Sequence, residues 1–475
     1  MMRINQAAGR VLRWSACAAV ALAANSAVRA ADEEVKADFT DGLSLRPVYM
    51  VNEPAGDGLL QTQMRERGWG GSWLEQNDIK LTGYAEAGYT YNFARPPNGA
   101  NGANGGIGRL FDDKSDDLRL DQLSIMLKRD ALVSADRFDT GFGLQVIYGA
   151  DARYTQANGT NFYGSGYASR RQVVTVPGFT VPFLDEASFP GQPDPENQID
   201  ILQVYGEFNL PVGNGLVLTA GKFVTPWGIE HIDPTQNYLY SHSYIFALST
   251  PRTLTGVTAK YQINEQFAVT GGIVAGWDQT IIEDNNDFPS LMAQVEYKYA
   301  EDLLLVVSTM VGPEQPGDTG DLRWLVDGTV EWQLDADVTI AGEVVMGYEP
   351  DIGTGVGPGQ RLADGAGFFG RQLNGEDCFW FGGAIYLNNR FDADGIWTLN
   401  ARAEYFNDND GAFLLANEVW AASIGMNIVP FAKDEIGKNL MIRPEIRYDY
   451  SKEKLWDGNQ QNNQITLGAD VIFKF

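Results

Sequence analysis

Long apolar runs are scarce in this sequence of 475 residues. Beyond the N-terminus, no stretch reaches the roughly eighteen apolar residues that a transmembrane helix needs. Basic residues are also few, with 35 Lys and Arg against 62 Asp and Glu and a formal net charge of −27. Nucleic acid binds basic surfaces, so a chain this acidic is not expected to have it as a partner.

Cysteine is rarer still, with two residues in the whole chain. Cys17 lies in an N-terminal segment that we expect to be removed, which leaves Cys378. One thiol forms neither an internal disulfide nor a metal cluster. We therefore expect Cys378 to be an ordinary buried strand residue, and we expect no cofactor.

Histidine is equally scarce, and both histidines, His231 and His242, fall in one segment of the chain. Barrel hydrolases need a Ser–His or Asp–His pair whose members meet in space. Asp233 is near these histidines in sequence, but nearness in sequence does not make a catalytic site. We therefore expect a protein that is not an enzyme.

The N-terminus has the three parts of a secretory signal peptide. Arg3, Arg10 and Arg13 precede a short apolar stretch, and Val28-Arg29-Ala30 ends it with a small-x-small cleavage site. We expect residues 1–30 to be the signal peptide. Residues 31–78 are polar and irregular, and we interpret them as a periplasmic N-terminal segment.

From residue 79 to residue 475 the dominant pattern is strict alternation. In the stretch 439–450, Arg443, Glu445, Arg447 and Asp449 alternate with apolar and aromatic residues. One such segment is equally typical of a half-buried strand in a soluble protein. About sixteen follow one another, each long enough to cross a bilayer when tilted. Leu118 falls out of phase with the later leucines of its segment, which predicts a bulge.

The connections between these segments alternate in length. Gaps after the odd-numbered strands are mostly long, such as 94–116 and 154–198, and those after the even-numbered strands are mostly short. An up-and-down barrel places all its long loops at one end and its turns at the other. The sequence therefore predicts an all-β, membrane-spanning, antiparallel barrel of about sixteen strands, with fourteen to eighteen compatible, long extracellular loops and short periplasmic turns. We expect aromatic girdles near the strand ends, with Trp277 and Trp324 among their members.

The alternation also assigns the polar face to a wet lumen, because lipid tolerates only paired backbone and apolar side chains. The expected lumen-facing acids are Glu296, Glu404, Glu445 and Asp449. The final strand ends in Phe475, the C-terminal signal that the outer-membrane assembly machinery recognises. The sequence thus places the chain in the outer membrane of a Gram-negative bacterium, in contact with lipid and lipopolysaccharide.

The segment 224–252 follows the fifth predicted strand and is rich in aromatic residues and proline. Such a segment is suited to folding inward and narrowing the lumen, where charge selects solutes. The candidate constriction residues are Glu230, Asp233, Lys222, Lys260, Lys298, Arg402, Arg443 and Arg447. The alternative is that Glu230 and Asp233 cap a short surface helix or turn. Asp284 and Asp287 are weak candidates for Ca²⁺ ligands and are equally typical of a solvated turn.

Three motifs carry a family resemblance: Gly221-Lys-Phe-Val-Thr-Pro-Trp-Gly-Ile-Glu230, Asn237-Tyr-Leu-Tyr-Ser-His-Ser-Tyr-Ile-Phe246 and Pro251-Arg-Thr-Leu-Thr-Gly-Val257. They resemble the OmpL-like β-barrel porin family, porin-2. The resemblance implies an outer-membrane porin and carries over no solute-binding residue.

The sequence therefore predicts a porin for passive diffusion of small hydrophilic solutes or ions. A substrate-specific channel, or a plugged structural or adhesive barrel, is the alternative. A homotrimer is expected by analogy with general porins, and the solute and the charge preference stay open.

Overall fold

The computed structural model describes residues 58–94, 109–160, 175–176, 179–180, 196–282, 284–315, 317–352, 376–392, 394–413, 417–456 and 461–475. The expected signal peptide and residues 31–57 lie outside these ranges. The barrel strands, numbered in chain order, are β1 Lys80–Asn92, β2 Leu118–Arg129, β3 Asp139–Gly149, β4 Gln198–Leu210, β5 Leu216–Val224, β6 Thr253–Gln262, β7 Phe267–Val274, β8 Ser290–Ala300, β9 Leu303–Pro313, β10 Leu322–Gln333, β11 Val338–Ile352, β12 Glu376–Arg390, β13 Trp397–Asn407, β14 Glu418–Ile428, β15 Leu440–Ser451 and β16 Asn463–Lys474.

These sixteen strands form a closed barrel in which each pairs with its neighbours in chain order and β16 pairs with β1. The last residue completes the seam: the Phe475 amide donates to the Gly83 carbonyl at 2.8 Å, and the Gly83 amide donates back at 2.8 Å. Closure leaves no strand edge with unpaired backbone groups, which is the condition for spanning lipid with strands. The predicted sixteen-stranded barrel is confirmed.

The alternating pattern separates the two faces of the wall. On β15, Arg443 and Arg447 are each 1% exposed, whereas Ile446 is 49% exposed on the outer face. The bulge expected near Leu118 is present, because the register of β1 against β2 shifts between Glu86 and Ala87. The extra residue lets the apolar side chains of both halves of β2 face outward.

Aromatic side chains gather on the outer face near both ends of the barrel. Tyr405 and Trp420 have ring centroids 4.3 Å apart at the long-loop end, and Phe267 stacks on Tyr297 at 4.4 Å at the short-turn end. These positions suit the membrane–water interfaces. Trp277 does not belong to them. Because β7 ends at Val274, Trp277 lies in a loop, is 2% exposed and packs inside the barrel.

Within the described ranges, four short helices accompany the strands: α1 Leu59–Glu66, α2 Gly71–Gln76, α3 Ala152–Thr155 and α4 Tyr244–Leu248. The side chain of Gln61 on α1 donates to the Ile79 carbonyl at 3.1 Å and accepts from the Leu81 amide at 2.7 Å. This amide fixes α1 against the start of β1. Within the described residues, no helix has the length and apolarity to cross a membrane.

Candidate pore constriction

The loop L3, defined as residues 225–252 between β5 and β6, leaves the wall and crosses the lumen. Its first turn is built around Gly228, whose φ of +82° favours glycine and whose added Cβ would lie 3.1 Å from Oε1 of Glu343. The Ile229 amide donates to Oε2 of Glu343 at 3.2 Å, and the Gly228 amide bonds Asp327. The motif Thr225-Pro-Trp-Gly thus brings backbone donors onto carboxylates of β10 and β11.

Glu230 lies at the centre of L3 and is 6% exposed. Its Oε1 accepts from Arg402 at 2.7 Å and from the Tyr386 hydroxyl at 3.1 Å. Its Oε2 accepts from the Ser243 amide at 2.9 Å and lies 2.9 Å from Nδ1 of His242. Burial alone would raise the pKa of Glu230, but the Arg402 guanidinium and the contact with His242 lower it to about 2. Glu230 is therefore ionised throughout the physiological range and joins both limbs of L3 to β12 and β13.

Asp233 has the role that the alternative interpretation gave it. Its side chain accepts from the Thr235 amide at 2.9 Å and caps the short 3-10 turn Pro234–Gln236. The turn, however, is inside the barrel, because Pro234 is buried and its carbonyl accepts from Arg443 at 2.8 Å. Asp233 therefore shapes the part of L3 that reaches the far wall.

Arg443 of β15 holds the middle of L3. Its Nε and Nη2 bond both carboxylate oxygens of Asp470 at 2.5–3.0 Å, and Nη2 lies 3.1 Å from Glu86. Its Nη1 donates to the Asn237 carbonyl at 3.0 Å as well as to Pro234. A guanidinium satisfies five acceptors in one plane, which is why one arginine can join three strands to a loop.

Arg447, two inward positions beyond Arg443 on β15, holds the second limb of L3. It bonds Asp449 at 2.7 Å and Glu404 at 3.1 Å, and it donates to the His242 carbonyl at 2.5 Å. Glu404 in turn accepts from the Tyr244 amide at 2.6 Å. We call the inward faces of β13–β16 the clamped wall, because Arg402, Arg443 and Arg447 fasten L3 to it.

The lysine candidates lie away from this clamp, whereas Glu445 belongs to it. Lys222 on β5 bonds Asp200 at 3.1 Å, and Lys260 on β6 bonds Glu296 of β8 at 2.6 Å. Lys298 occupies an inward position farther toward the short-turn end of β8, opposite Leu304. Glu445 accepts from the Ser241 amide at 2.8 Å. The predicted set is thus divided between L3 anchors and isolated wall pairs.

Apolar side chains of L3, of the loop after β13 and of β9 pack inside the barrel. Every residue of α4, Tyr244–Leu248, is buried. The Phe413 ring of the loop after β13 lies 4.9 Å from Trp380 and 6.5 Å from Trp277, both inside the barrel. Leu304, Val306 and Met310 face inward on β9, which explains why that strand is apolar on both faces.

Residue types alone did not single out Asp327, Glu343 and Tyr386 as partners of L3, or Glu86 and Asp470 as the partners of Arg443. All five occupy inward positions of the alternating pattern, so their face was readable. Their partners were not readable, because contacts across the lumen depend on which strands lie opposite each other.

Two further sequence expectations concern groups away from L3. The Asp284 side chain accepts from the Asn286 amide at 3.1 Å, within its own turn. Asp287 has a φ of +57°. Among the described residues, no group of three or more His, Cys, Asp or Glu side chains is placed to hold a metal ion. Cys378 is fully buried on β12, as the sequence predicted, and its Sγ lies 3.4 Å from the Asp410 carbonyl oxygen.

The tiny space left between L3 and the wall is lined by Ile229, Glu230, Asn237, Tyr238, Leu239, Tyr386 and Arg402. Its volume of about 10 Å³ corresponds to one water molecule. At this point L3 and the wall are in contact, so an opening for solutes must lie elsewhere around the loop or must form when L3 moves.

Comparison with known proteins adds a family and a fold. The family model described as "Putative beta-barrel porin-2, OmpL-like" matches residues 78–475. The solved structure of OprB from Pseudomonas putida superposes with a TM-score of 0.50 at 12% identity, covering 86% of this chain and 97% of that one. At this identity the likeness concerns the fold alone.

Two other porin structures are similar at a lower score. The anion-selective porin from Comamonas acidovorans gives a TM-score of 0.49 at 10% identity and covers 84% of this chain and 99% of that one. The channel DcaP of Acinetobacter baumannii gives 0.48 at 11% identity, with coverage of 84% and 97%. Among curated proteins, none matches the sequence.

Proposed function

Because the chain belongs to the OmpL-like β-barrel porin-2 family and is a porin of the bacterial outer membrane, we propose that L3 is the element that limits its passive diffusion of small hydrophilic solutes or ions. The observation that carries this proposal is the attachment of L3 across the lumen by Glu230–Arg402 at 2.7 Å and by the Arg443 contacts to Pro234 and Asn237. A loop held at mid-lumen sets the largest solute that passes.

The charged side chains near L3 narrow the lumen by holding L3 in place. They contribute little to an electric field across the water-filled part of the lumen. Arg402, Arg443 and Arg447 are each 1% exposed in their side chains and touch carboxylates directly. A buried pair in contact presents little net charge to a passing ion. We therefore assign Glu230, Arg402, Arg443 and Arg447 to the constriction as anchors, with Asp233 shaping the turn that they hold.

The test is conductance in planar bilayers. The wild-type barrel is expected to give stepwise openings, and Glu230→Gln is expected to give larger or noisier ones. The substitution weakens charge-assisted hydrogen bonds worth about 1.5–3 kcal/mol, so L3 leaves the wall more often. The matched control is Asp337→Asn, which removes an exposed carboxylate paired with Arg390 at the short-turn end. Equal currents from Glu230→Gln and the wild type would contradict the role of L3.

A plugged structural barrel is the second candidate, and the apolar packing of α4 against Trp277 and Trp380 favours it. A barrel that folds and resists heat in detergent but never conducts, at any voltage, would support this candidate. A substrate-specific channel differs from both, because its current would be blocked by one solute at low concentration.

We further propose that Phe475 is the assembly signal, that lipopolysaccharide surrounds the long-loop end, and that the barrel forms a homotrimer. The Phe475 ring packs on Gly83 at the seam, where a Cβ on that glycine would meet Cε2 of the ring. Deleting Phe475 is expected to reduce severalfold the amount of barrel in the outer membrane. Native mass spectrometry of the purified barrel tests the homotrimer. N-terminal sequencing of the mature chain tests cleavage after Ala30.

We propose no catalytic role. His242 is held by Glu230, and the Ser243 hydroxyl accepts from the Phe246 amide at 3.1 Å as the cap of α4. Membership of a porin family indicates that the function is that of a channel, and the side chains of His242 and Ser243 form hydrogen bonds that hold L3.

A further inference from the structure

One sector of the lumen wall has small inward side chains beside one paired cation. The small residues on β5, β6 and β7 are Thr219, Gly256, Thr258, Thr270 and Gly272, and the cation is Lys260 of β6, which is paired in register with Thr270 and forms an ion pair with Glu296. They are neighbours around the wall, since Thr219 pairs with Thr258 and Thr258 pairs with Gly272. We call this surface the smooth wall. The motif residues that carry the family resemblance flank it on β5 and β6.

Part of the smooth wall is less covered than the clamped wall, although its Thr258 is only 8% exposed. Thr219 and Thr270 are partly exposed, and the side chain of Lys260 beside Thr270 is 39% exposed. On the clamped wall, Asn400 and Ser423 are 0% and 1% exposed. Both sets lie on inward faces, so the difference reflects what covers them.

L3 provides the reason for this asymmetry. It starts at the end of β5 and returns at the start of β6, yet its hydrogen bonds reach β8, β11, β12, β13 and β15. Among the described residues, no hydrogen bond joins L3 to the smooth wall. A loop drawn to the wall opposite its own root leaves space behind it.

Toward the long-loop end, the smooth wall meets an apolar layer of Phe223, Leu254 and Val274, which pack with Trp227 of L3. Apolar constrictions in channels gate by excluding water. Phe223, Leu254, Val274 and Trp227 are at most 8% exposed, so this layer is closed here, and it opens only if Trp227 moves with L3.

From these observations, and resting on the proposed porin function, we infer that solutes pass behind L3, along the smooth wall. We infer also that this path admits small neutral polar molecules as readily as ions. Threonine hydroxyls offer donors and acceptors without charge. Lys260 and Glu296 neutralise each other at the short-turn end of this path. The wall that holds L3 is then a structural surface which solutes do not touch.

Cysteine accessibility tests the path. Thr270→Cys places a thiol on the smooth wall, and Ser423→Cys places one of similar size on the clamped wall. The native Cys378 is fully buried, so the wild type reports the background. A charged methanethiosulfonate reagent is added to folded barrels, labelling is read by mass, and block is read as loss of current in planar bilayers.

We expect Thr270→Cys to be labelled at least tenfold faster than Ser423→Cys and to lose most of its current. The reversal potential of the unmodified barrel in a KCl gradient is expected to lie near zero. A conducting barrel that is blocked through Ser423→Cys and not through Thr270→Cys would overturn the path. So would a conducting barrel in which neither variant is labelled. A strongly non-zero reversal potential would overturn the solute class, whereas a barrel that never conducts would overturn the proposed function itself.

Discussion

The clamped wall and the smooth wall have the same strand architecture and opposite chemistry. Arg443 on the clamped wall is surrounded by Glu86, Asp470 and the carbonyls of L3, all buried. Thr219 and Thr270 on the smooth wall are partly exposed. The comparison teaches that the buried charges of the clamped wall hold a loop in place, and that the less covered surface has small side chains with one paired cation, Lys260.

The largest expected effect comes from Arg443→Ala, which breaks the clamp. It leaves Glu86 and Asp470 buried without their partner, which costs about 3–5 kcal/mol of unfolding free energy. Urea unfolding of the detergent-solubilised barrel, followed by circular dichroism, measures the loss. Arg390→Ala is the control, because that arginine is 47% exposed beside Asp337 and such surface pairs contribute about 1 kcal/mol or less. Equal losses would mean that Arg443 is not a clamp.

A smaller effect is expected from acid, which acts on L3 through His231. Burial, offset only in part by Asp233 and Glu230, lowers the pKa of His231 from 6.5 to about 4. The unfolded chain therefore binds more protons than the native one between these values. The stabilisation is complete above pH 6.5, declines as the pH falls through this window and is fully lost below about pH 4, a total of roughly 3 kcal/mol.

The measurement is open probability between pH 7 and pH 5, where the depressed pKa of Glu230 at about 2 keeps that carboxylate ionised. We expect the wild type to open more often as the pH falls. His231→Gln, which stays neutral, is expected to flatten the profile. A variant that keeps the full pH response would assign the response to another group.

The smallest effect is expected from Gly228→Ala, which tests whether the backbone at the start of L3 controls conductance. Left-handed backbone costs a non-glycine residue about 1–2 kcal/mol. At Gly228 the new methyl group also meets Glu343 at 3.1 Å. Gly395→Ala is the control, with a φ of +69° and nothing within 4 Å. Only Gly228→Ala should increase conductance, although thermal unfolding should report a loss for both.

Local pattern predicted much of this barrel because its rules are local. Side chains alternate with a period of two, so the faces of Arg443 and Ile446 follow from their positions alone. The bulge near Leu118 was predicted for the same reason, since one extra residue restores the phase. Trp277 was assigned to the wrong environment because β7 ends three residues earlier, and no local signal marks that end.

The sequence by itself determined most of the strands, their inward and outward faces, a closed barrel of about sixteen strands and the identity of L3 as the unusual loop. Only the tertiary structure decided which wall L3 contacts. Glu230 meets Arg402 although 172 residues separate them along the chain. Such partners are fixed by strand number and register around a closed circle, so a pattern with a period of two contains no information about them.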